Sequence, residues 1–163
     1  MSIPRGIRNN NPLNIRRGSQ WKGLSRVQSD PSFCQFETLE YGWRAAFRLL
    51  TKTYFARYHL QTIRAIISRW APSCENDTSA YIQNVSRLTG IAPDEPLGDP
   101  SQHPHRWMLV GVAMAIQENG LIKRERSDAC ISSAEREDGR AKLNGTSSID
   151  WLAMLRGWGM MES

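Results

Sequence analysis

The residue best suited to acid–base chemistry is Glu118, a carboxylate at the end of an almost wholly apolar stretch. One and two helical turns before it lie Met114, Ala115 and Gly111, which are apolar or small. A carboxyl group on such a face loses hydration when it ionises, so we expect a raised pKa and a usable general acid near neutral pH. The same spacing is also typical of a surface glutamate at a frayed helix end, and both interpretations stay open.

Other kinds of reactive centre find little support in the chain. The histidines are isolated, and the cysteines are odd in number and lack metal-ligand spacing, so we expect no metal, no cofactor and no disulfide framework. Neither a glycine-rich phosphate loop nor a serine nucleophile elbow is present. The residues concerned are His59, His103, His105, Cys34, Cys74 and Cys130.

The elements that must position Glu118 follow from the spacing of apolar residues. This spacing predicts helices over 38–58, 62–70, 78–89 and 105–119, with Thr62 as the N-cap of the second. Asp77 or Thr78 caps the third, which places Tyr81 in its first turn, and Gly90 ends it. The turn-rich residues 1–36 predict loops and a small β-hairpin lobe near 14–36, so the fold class is mainly α with a minor β part.

The chain divides into three parts by composition. Residues 1–120 contain the predicted globular domain, and its helix 105–119 is apolar all round, which is typical of a buried central helix. Residues 121–147 are strongly charged and predict a linker or a solvated helix. Residues 148–163 predict an amphipathic helix that packs on the body, with docking onto a partner protein as the alternative.

The charge of the chain is uneven. The net charge is +5, but residues 1–81 hold 12 Lys and Arg against 5 Asp and Glu, a formal charge of +7. Such a basic half favours a polyanionic partner: nucleic acid, a phospholipid surface or the bacterial envelope. The seven-residue connection 71–77, which contains Pro72, is too long for a helix-turn-helix, so nucleic-acid binding is disfavoured.

Residues 5–120 contain a set of distinctive motifs in a fixed order. They are Arg5 to Ile15, Trp21-Lys22-Gly23, Asp30 to Phe36, Tyr41-Gly42-Trp43-Arg44-Ala45, Arg69 to Pro72, Glu75 to Tyr81, and Glu118-Asn119-Gly120. In combination these motifs resemble small phage virion structural or lysozyme-like proteins. Leu13 stands where that family usually has Gly, and residues 121–163 lie outside the resemblance.

Two segments are also similar to enzymes of the lysozyme superfamily that cleave peptidoglycan. Residues 77–85 are similar to the Glu-Thr-x-x-Tyr-Val-x-x-Val element of lytic transglycosylases, with Asp77 in place of Glu. Residues 115–120 are similar to the helix that carries the catalytic Glu. In those enzymes this helix precedes the Asn-rich segment, whereas here it follows, so the resemblance implies a circularly permuted lysozyme-like fold.

The resemblance implies cleavage of peptidoglycan strands, with Glu118 protonating the leaving oxygen. Asp30 and Glu37 are the candidates for a second carboxylate; without one, a single Glu acts first as acid and then as base. The predicted substrate-binding residues, which would contact the sugars or orient the acid, are Tyr81, Asn14, Asn11, Trp21 and Glu75.

Two other functions remain open beside the wall-cleaving enzyme. One is a virion structural or adaptor protein that keeps the shape without the activity, and the other is the disfavoured DNA-binding module. No apolar run is long enough for a membrane span, and the start has no signal-peptide pattern. We therefore expect a protein made in the cytoplasm that reaches the cell wall through a virion, lysis or secretion partner.

Overall fold

Helices dominate the computed structural model, which describes residues 3–74, 77–120 and 156–157. The third helical segment is a π-helix, and the others are α-helices. In chain order they are α1 (Arg5–Arg8), α2 (Leu39–Arg48), the π-helix (Leu49–Arg57), α3 (Ile63–Trp70), α4 (Thr78–Thr89) and α5 (Pro104–Glu118).

The helix ends follow the capping residues that the sequence offers. The Thr62 side chain accepts a hydrogen bond from the Ala65 amide at the start of α3, and Asp77 accepts one from Ala80 at the start of α4. Gly90 ends α4 in the left-handed conformation, with φ of 72°. These caps confirm the predicted boundaries of both helices.

Helix α5 forms the centre of the hydrophobic core. Eight of its 15 residues are buried, including Trp107 and the run from Val110 to Ile116. It packs against α4, α2 and the π-helix, and α3 packs against α4. The prediction of a buried central helix near 105–119 is confirmed, with bounds Pro104–Glu118.

The predicted helix over 38–58 changes type part-way along its length. It is α-helical as far as Arg48 and π-helical from Leu49 to Arg57. In the π-helical part Leu50, Thr51 and Tyr54 are buried. Because π-helical turns are wider than α-helical ones, this segment presents a different set of side chains from the one that a 3.6-residue period predicts.

The predicted β-hairpin lobe near 14–36 is absent as a sheet. Within the described residues this region forms an irregular lobe with two isolated antiparallel bridges, Arg16 to Phe33 and Leu24 to Phe36. Side-chain amides replace a regular ladder: Asn11 Nδ2 donates to the carbonyl oxygens of Ile15 and Cys34. Bonds of this kind satisfy the backbone locally and compete with strand pairing.

Close backbone contacts join this lobe to the helices. A Cβ atom on Gly42 of α2 would overlap the carbonyl of Asn10, and one on Gly6 would lie 2.8 Å from the carbonyl oxygen of Asn11. The Asn119 side chain donates to the Pro12 carbonyl oxygen at 3.1 Å. The Asn-rich turn therefore sits against the carboxyl end of α5.

The charged stretch 121–147 and most of the predicted helix 148–163 lie outside the described residues. Arg156 Nε donates to Glu40 Oε1 of α2 at 2.7 Å. Gly157 is buried, and a Cβ atom there would lie 2.8 Å from Trp43 Cβ. This part of the chain thus contacts α2 at these two residues.

None of the helices in the described ranges is both long enough and apolar enough to span a bilayer. Cys34 is buried and Cys74 exposed, and both are free thiols.

Candidate active site

The carboxyl end of α5 opens into a cavity of about 610 Å³. The half-buried Glu118 lies at its wall, and the other lining side chains come from α1, the N-terminal lobe, the π-helix and the end of α3. The lining consists of Arg5, Asn14, Ile15, Arg16, Ser19, Trp21, Phe33, Leu49, Tyr54, Trp70, Ala71 and Glu118.

Three donors from three parts of the chain hold the Glu118 carboxylate. Trp70 Nε1 donates to Oε1 at 2.8 Å, and the Tyr81 hydroxyl donates to the same oxygen at 3.0 Å. Asn14 Nδ2 donates to Oε2 at 3.3 Å. Since Oε1 accepts two bonds and Oε2 only one long one, Oε2 is the oxygen on which a proton can sit with the least disturbance.

Tyr81 serves Glu118 as a fixed hydrogen-bond donor. Its side chain is buried, and burial, together with the adjacent carboxylate, raises the pKa of the phenol well above its usual value of 10.0. The phenol therefore stays protonated at neutral pH. Tyr81 does not line the cavity, so it orients Glu118 rather than contacting a ligand.

Asn14 reaches the site through an unusual backbone conformation. Its φ is 51°, in the left-handed region that Asn tolerates better than most residues. The Asn14 amide closes a turn by donating to the Asn11 carbonyl oxygen at 3.0 Å. The Asn-rich motif thus directs one of its amides to Oε2 of Glu118.

Two tryptophans line the cavity. Trp21, named from the sequence as a substrate-binding candidate, lies in the lining. Trp70, which bonds Glu118 directly, did not emerge from sequence reasoning as a site residue. The signal was its position as the last residue of α3, next to Ala71 and Pro72, where a helix end leaves a large ring free to face a neighbouring element.

Asp30 lies apart from Glu118. It lines a second cavity of about 360 Å³, and it is not among the residues that line the first. The backbone amides of Ser32 and Phe33 donate to Oδ1 at 3.0 Å each, and Asn9 Nδ2 donates to Oδ2 at 3.0 Å. These bonds hold the pKa of Asp30 below its usual 3.8.

The prediction that Asp30 or Glu37 supplies a second carboxylate beside Glu118 is therefore not supported by their placement. Glu37 is exposed and lines neither cavity. Among the described residues that line the 610 Å³ cavity, Glu118 carries the one carboxylate. Asp30 sits elsewhere because it closes a local turn with Ser32 and Phe33.

No protein-family model matches the chain. Protein P5 of Pseudoalteromonas phage PM2 is 45% identical over 120 residues, which cover 71% of this chain and 71% of that protein. The chain belongs to the Protein P5 family. This finding supports the phage part of the resemblance, and the lysozyme-like part remains a proposal.

One further predicted site residue of this P5-family chain, Asn11, is not among the residues that line the cavity. Asn11 is fully buried, and its side chain bonds the backbone of Ile15 and Cys34. This placement does not support the prediction that Asn11 contacts substrate, because its amide bonds the backbone of the lobe. Glu75 lies outside the described residues.

Proposed function

We propose that this phage P5-family protein cleaves the glycan strands of bacterial peptidoglycan, with Glu118 as general acid and base. The observation that supports the proposal is a carboxylate at the wall of a 610 Å³ cavity, held by Trp70, Tyr81 and Asn14. An isolated carboxylate with fixed donors on one oxygen and a freer second oxygen suits proton transfer to a bound ligand.

In this mechanism, protonated Oε2 of Glu118 gives its proton to the glycosidic oxygen while the bond from that oxygen to the anomeric carbon breaks. The carboxylate that forms keeps its bonds from Trp70 and Tyr81. It then takes a proton from a hydroxyl of the same sugar, whose oxygen closes onto the anomeric carbon. The described cavity lining offers no second carboxylate, and this single-glutamate route requires none.

The fold that goes with this activity would be a circularly permuted lysozyme-like one. Its support is the contact between the Asn-rich turn at the start of the chain and the late glutamate helix, seen in the Asn14–Glu118 and Asn119–Pro12 bonds. Permutation is physically tolerable because the termini of a domain often lie close together at its surface.

A second candidate is a structural or adaptor component of a virion that has no catalytic activity. The similarity to Protein P5, a phage protein whose name states no enzymatic activity, fits this candidate better than an enzyme. The three bonds to Glu118 would then serve to fasten α3, α4 and the N-terminal lobe to the end of α5.

Digestion of purified peptidoglycan distinguishes the two candidates. We expect the unaltered protein and a Glu37→Gln control to release soluble fragments, and Glu118→Gln to release none while retaining its circular dichroism spectrum. Glu37 is a suitable control because it is exposed and lines neither cavity. Mass analysis separates anhydro ends, the expected product, from the reducing ends of hydrolysis. A folded protein that releases nothing would favour the structural component.

A further inference from the structure

Two arginines, Arg5 and Arg16, line the 610 Å³ cavity and make part of its wall positively charged. We infer that Arg5 and Arg16 form a subsite for the carboxylate-bearing branch of an acidic glycan, so that the site discriminates branched acidic strands from unbranched neutral ones. This inference rests on the proposed function, because it assumes a glycan in the 610 Å³ cavity.

Phe33 holds both guanidinium groups in place. The Arg5 guanidinium carbon lies 4.7 Å from the centroid of the Phe33 ring, and that of Arg16 lies 5.4 Å from it. The antiparallel bridge between Arg16 and Phe33 fixes this neighbourhood through the backbone. Stacking of this kind orients the planar donors of arginine, which match the geometry of a carboxylate.

The positive charge of the pair is largely free for a ligand. Arg16 makes no ion pair within the described residues, and its side chain is exposed. Arg5 approaches Asp30 at 3.7 Å, but that carboxylate already accepts from Asn9 and from two backbone amides. Glu118 is the one acidic residue among the described residues of the same lining, which contains two arginines.

Arg5 also lies where two cavities meet, and Arg16 lines the larger of them. Arg5 and Phe33 line both the 610 Å³ cavity that contains Glu118 and the 360 Å³ cavity around Asp30. A linear strand requires only the first cavity. A strand that carries an acidic peptide branch on its sugars would place carboxylates at the junction, within reach of Arg5 and Arg16.

The test is a binding measurement by calorimetry, first with two glycan probes. These are a soluble disaccharide-peptide fragment of peptidoglycan and a neutral N-acetylglucosamine oligomer. We expect Arg16→Gln and Arg5→Gln each to weaken binding of the acidic fragment by about tenfold, the scale of one lost charge-assisted hydrogen bond. Neither variant should change binding of the neutral oligomer. Arg26→Gln is the matched control, because Arg26 is exposed and lines neither cavity.

The subsite would be overturned if the acidic fragment bound equally well to the unaltered protein and all three variants, or if it did not bind the unaltered protein. A short DNA duplex is the third probe: loss of DNA binding in the Arg16 variant with unchanged fragment binding would also overturn it and assign the arginines to nucleic acid. Arginine-dependent fragment binding without cleavage of peptidoglycan would support the subsite and refute the proposed enzyme. Melting curves of each variant report whether the fold is intact.

Discussion

Glu118 depends on donors that lie far from it in the chain, and Tyr81 is the most buried of them. Removing only the phenolic oxygen leaves the ring in place and takes one of the two bonds from Oε1. If Glu118 transfers protons, this change alters the chemical step more than ligand binding, because Tyr81 does not line the cavity.

We therefore expect Tyr81→Phe to lower kcat on peptidoglycan by about tenfold, the scale of a hydrogen bond to a charged group, with KM nearly unchanged. Tyr54→Phe is the matched control, since Tyr54 lines the cavity and makes no bond to Glu118. Steady-state kinetics of both variants provide the measurement. Equal kcat values for the two would contradict the positioning role of Tyr81.

Asp30 supplies a pH-dependent contribution to stability. Its pKa is lowered chiefly by the bond from the Ser32 amide, and then by the bond from the Asn9 side chain. A carboxyl group with a lowered pKa in the folded state stabilises the protein above its unfolded pKa and loses that contribution as the pH falls through the folded value.

We expect Asp30→Asn to lower the Tm at pH 7, and the difference from the unaltered protein to shrink as the pH falls below 3.8, the usual value for this carboxyl. Thermal melts across about pH 2.5–7, a range that spans the usual carboxyl pKa, provide the measurement. A Tm difference that stays constant over the whole range would show that the charge of Asp30 contributes nothing.

At the scale of secondary-structure elements, α3 is short and carries Trp70 at its end. Its only side-chain cap at the amino end is Thr62, whose hydroxyl oxygen accepts from the Ala65 amide at 3.1 Å. Loss of that acceptor leaves an amide without its partner and loosens the first turn.

Thr62→Ala should destabilise the protein by about 1 kcal/mol, whereas Thr62→Ser, which keeps the acceptor, should cost much less. Urea unfolding followed by circular dichroism measures both. Because the cap lies at the opposite end of α3 from Trp70, the cleavage rate of folded Thr62→Ala should match that of the unaltered protein. A free-energy change as large for Ser as for Ala would show that the cap is not the cause.

The π-helix and the irregular lobe show where element type departs from the local pattern. The sequence spacing predicts helix over 38–58 and a hairpin near 14–36, but neither prediction accounts for packing against other segments. Tyr54 of the π-helix lines the cavity, and the lobe uses the Asn11 side chain to bond its own backbone. Local propensity is a weak guide where tertiary contacts satisfy the backbone in another way.

At the scale of the whole molecule, the C-terminal region contacts α2 through Arg156 and Gly157. The Arg156–Glu40 ion pair is largely exposed and contributes little, but the buried Gly157 lies against the backbone of α2. The sequence predicts an amphipathic helix here that packs on the body, and this prediction remains to be tested.

Deletion of residues 145–163 should lower the Tm and leave the cleavage chemistry of Glu118 in place. The expected cause is exposure of apolar surface on α2, because a domain of this size has a small core and loses stability when part of it is uncovered. Arg156→Gln is the control that removes the ion pair alone, and its Tm should stay close to that of the unaltered protein. An unchanged Tm in the truncated protein would instead favour docking of this region onto a partner.

The sequence by itself determined the features that depend on near neighbours in the chain. The caps at Thr62, Asp77 and Gly90 and the buried helix that ends at Glu118 follow from residue type and period, because a helical turn spans only four residues. Only the tertiary structure decided what surrounds Glu118. Its donors Trp70, Tyr81 and Asn14 lie 48, 37 and 104 positions away, and no local pattern encodes such distances. Asn11 and Asp30 are both predicted at the site. In the structure their side chains instead form hydrogen bonds with backbone groups of the lobe, an outcome that the sequence pattern does not reveal.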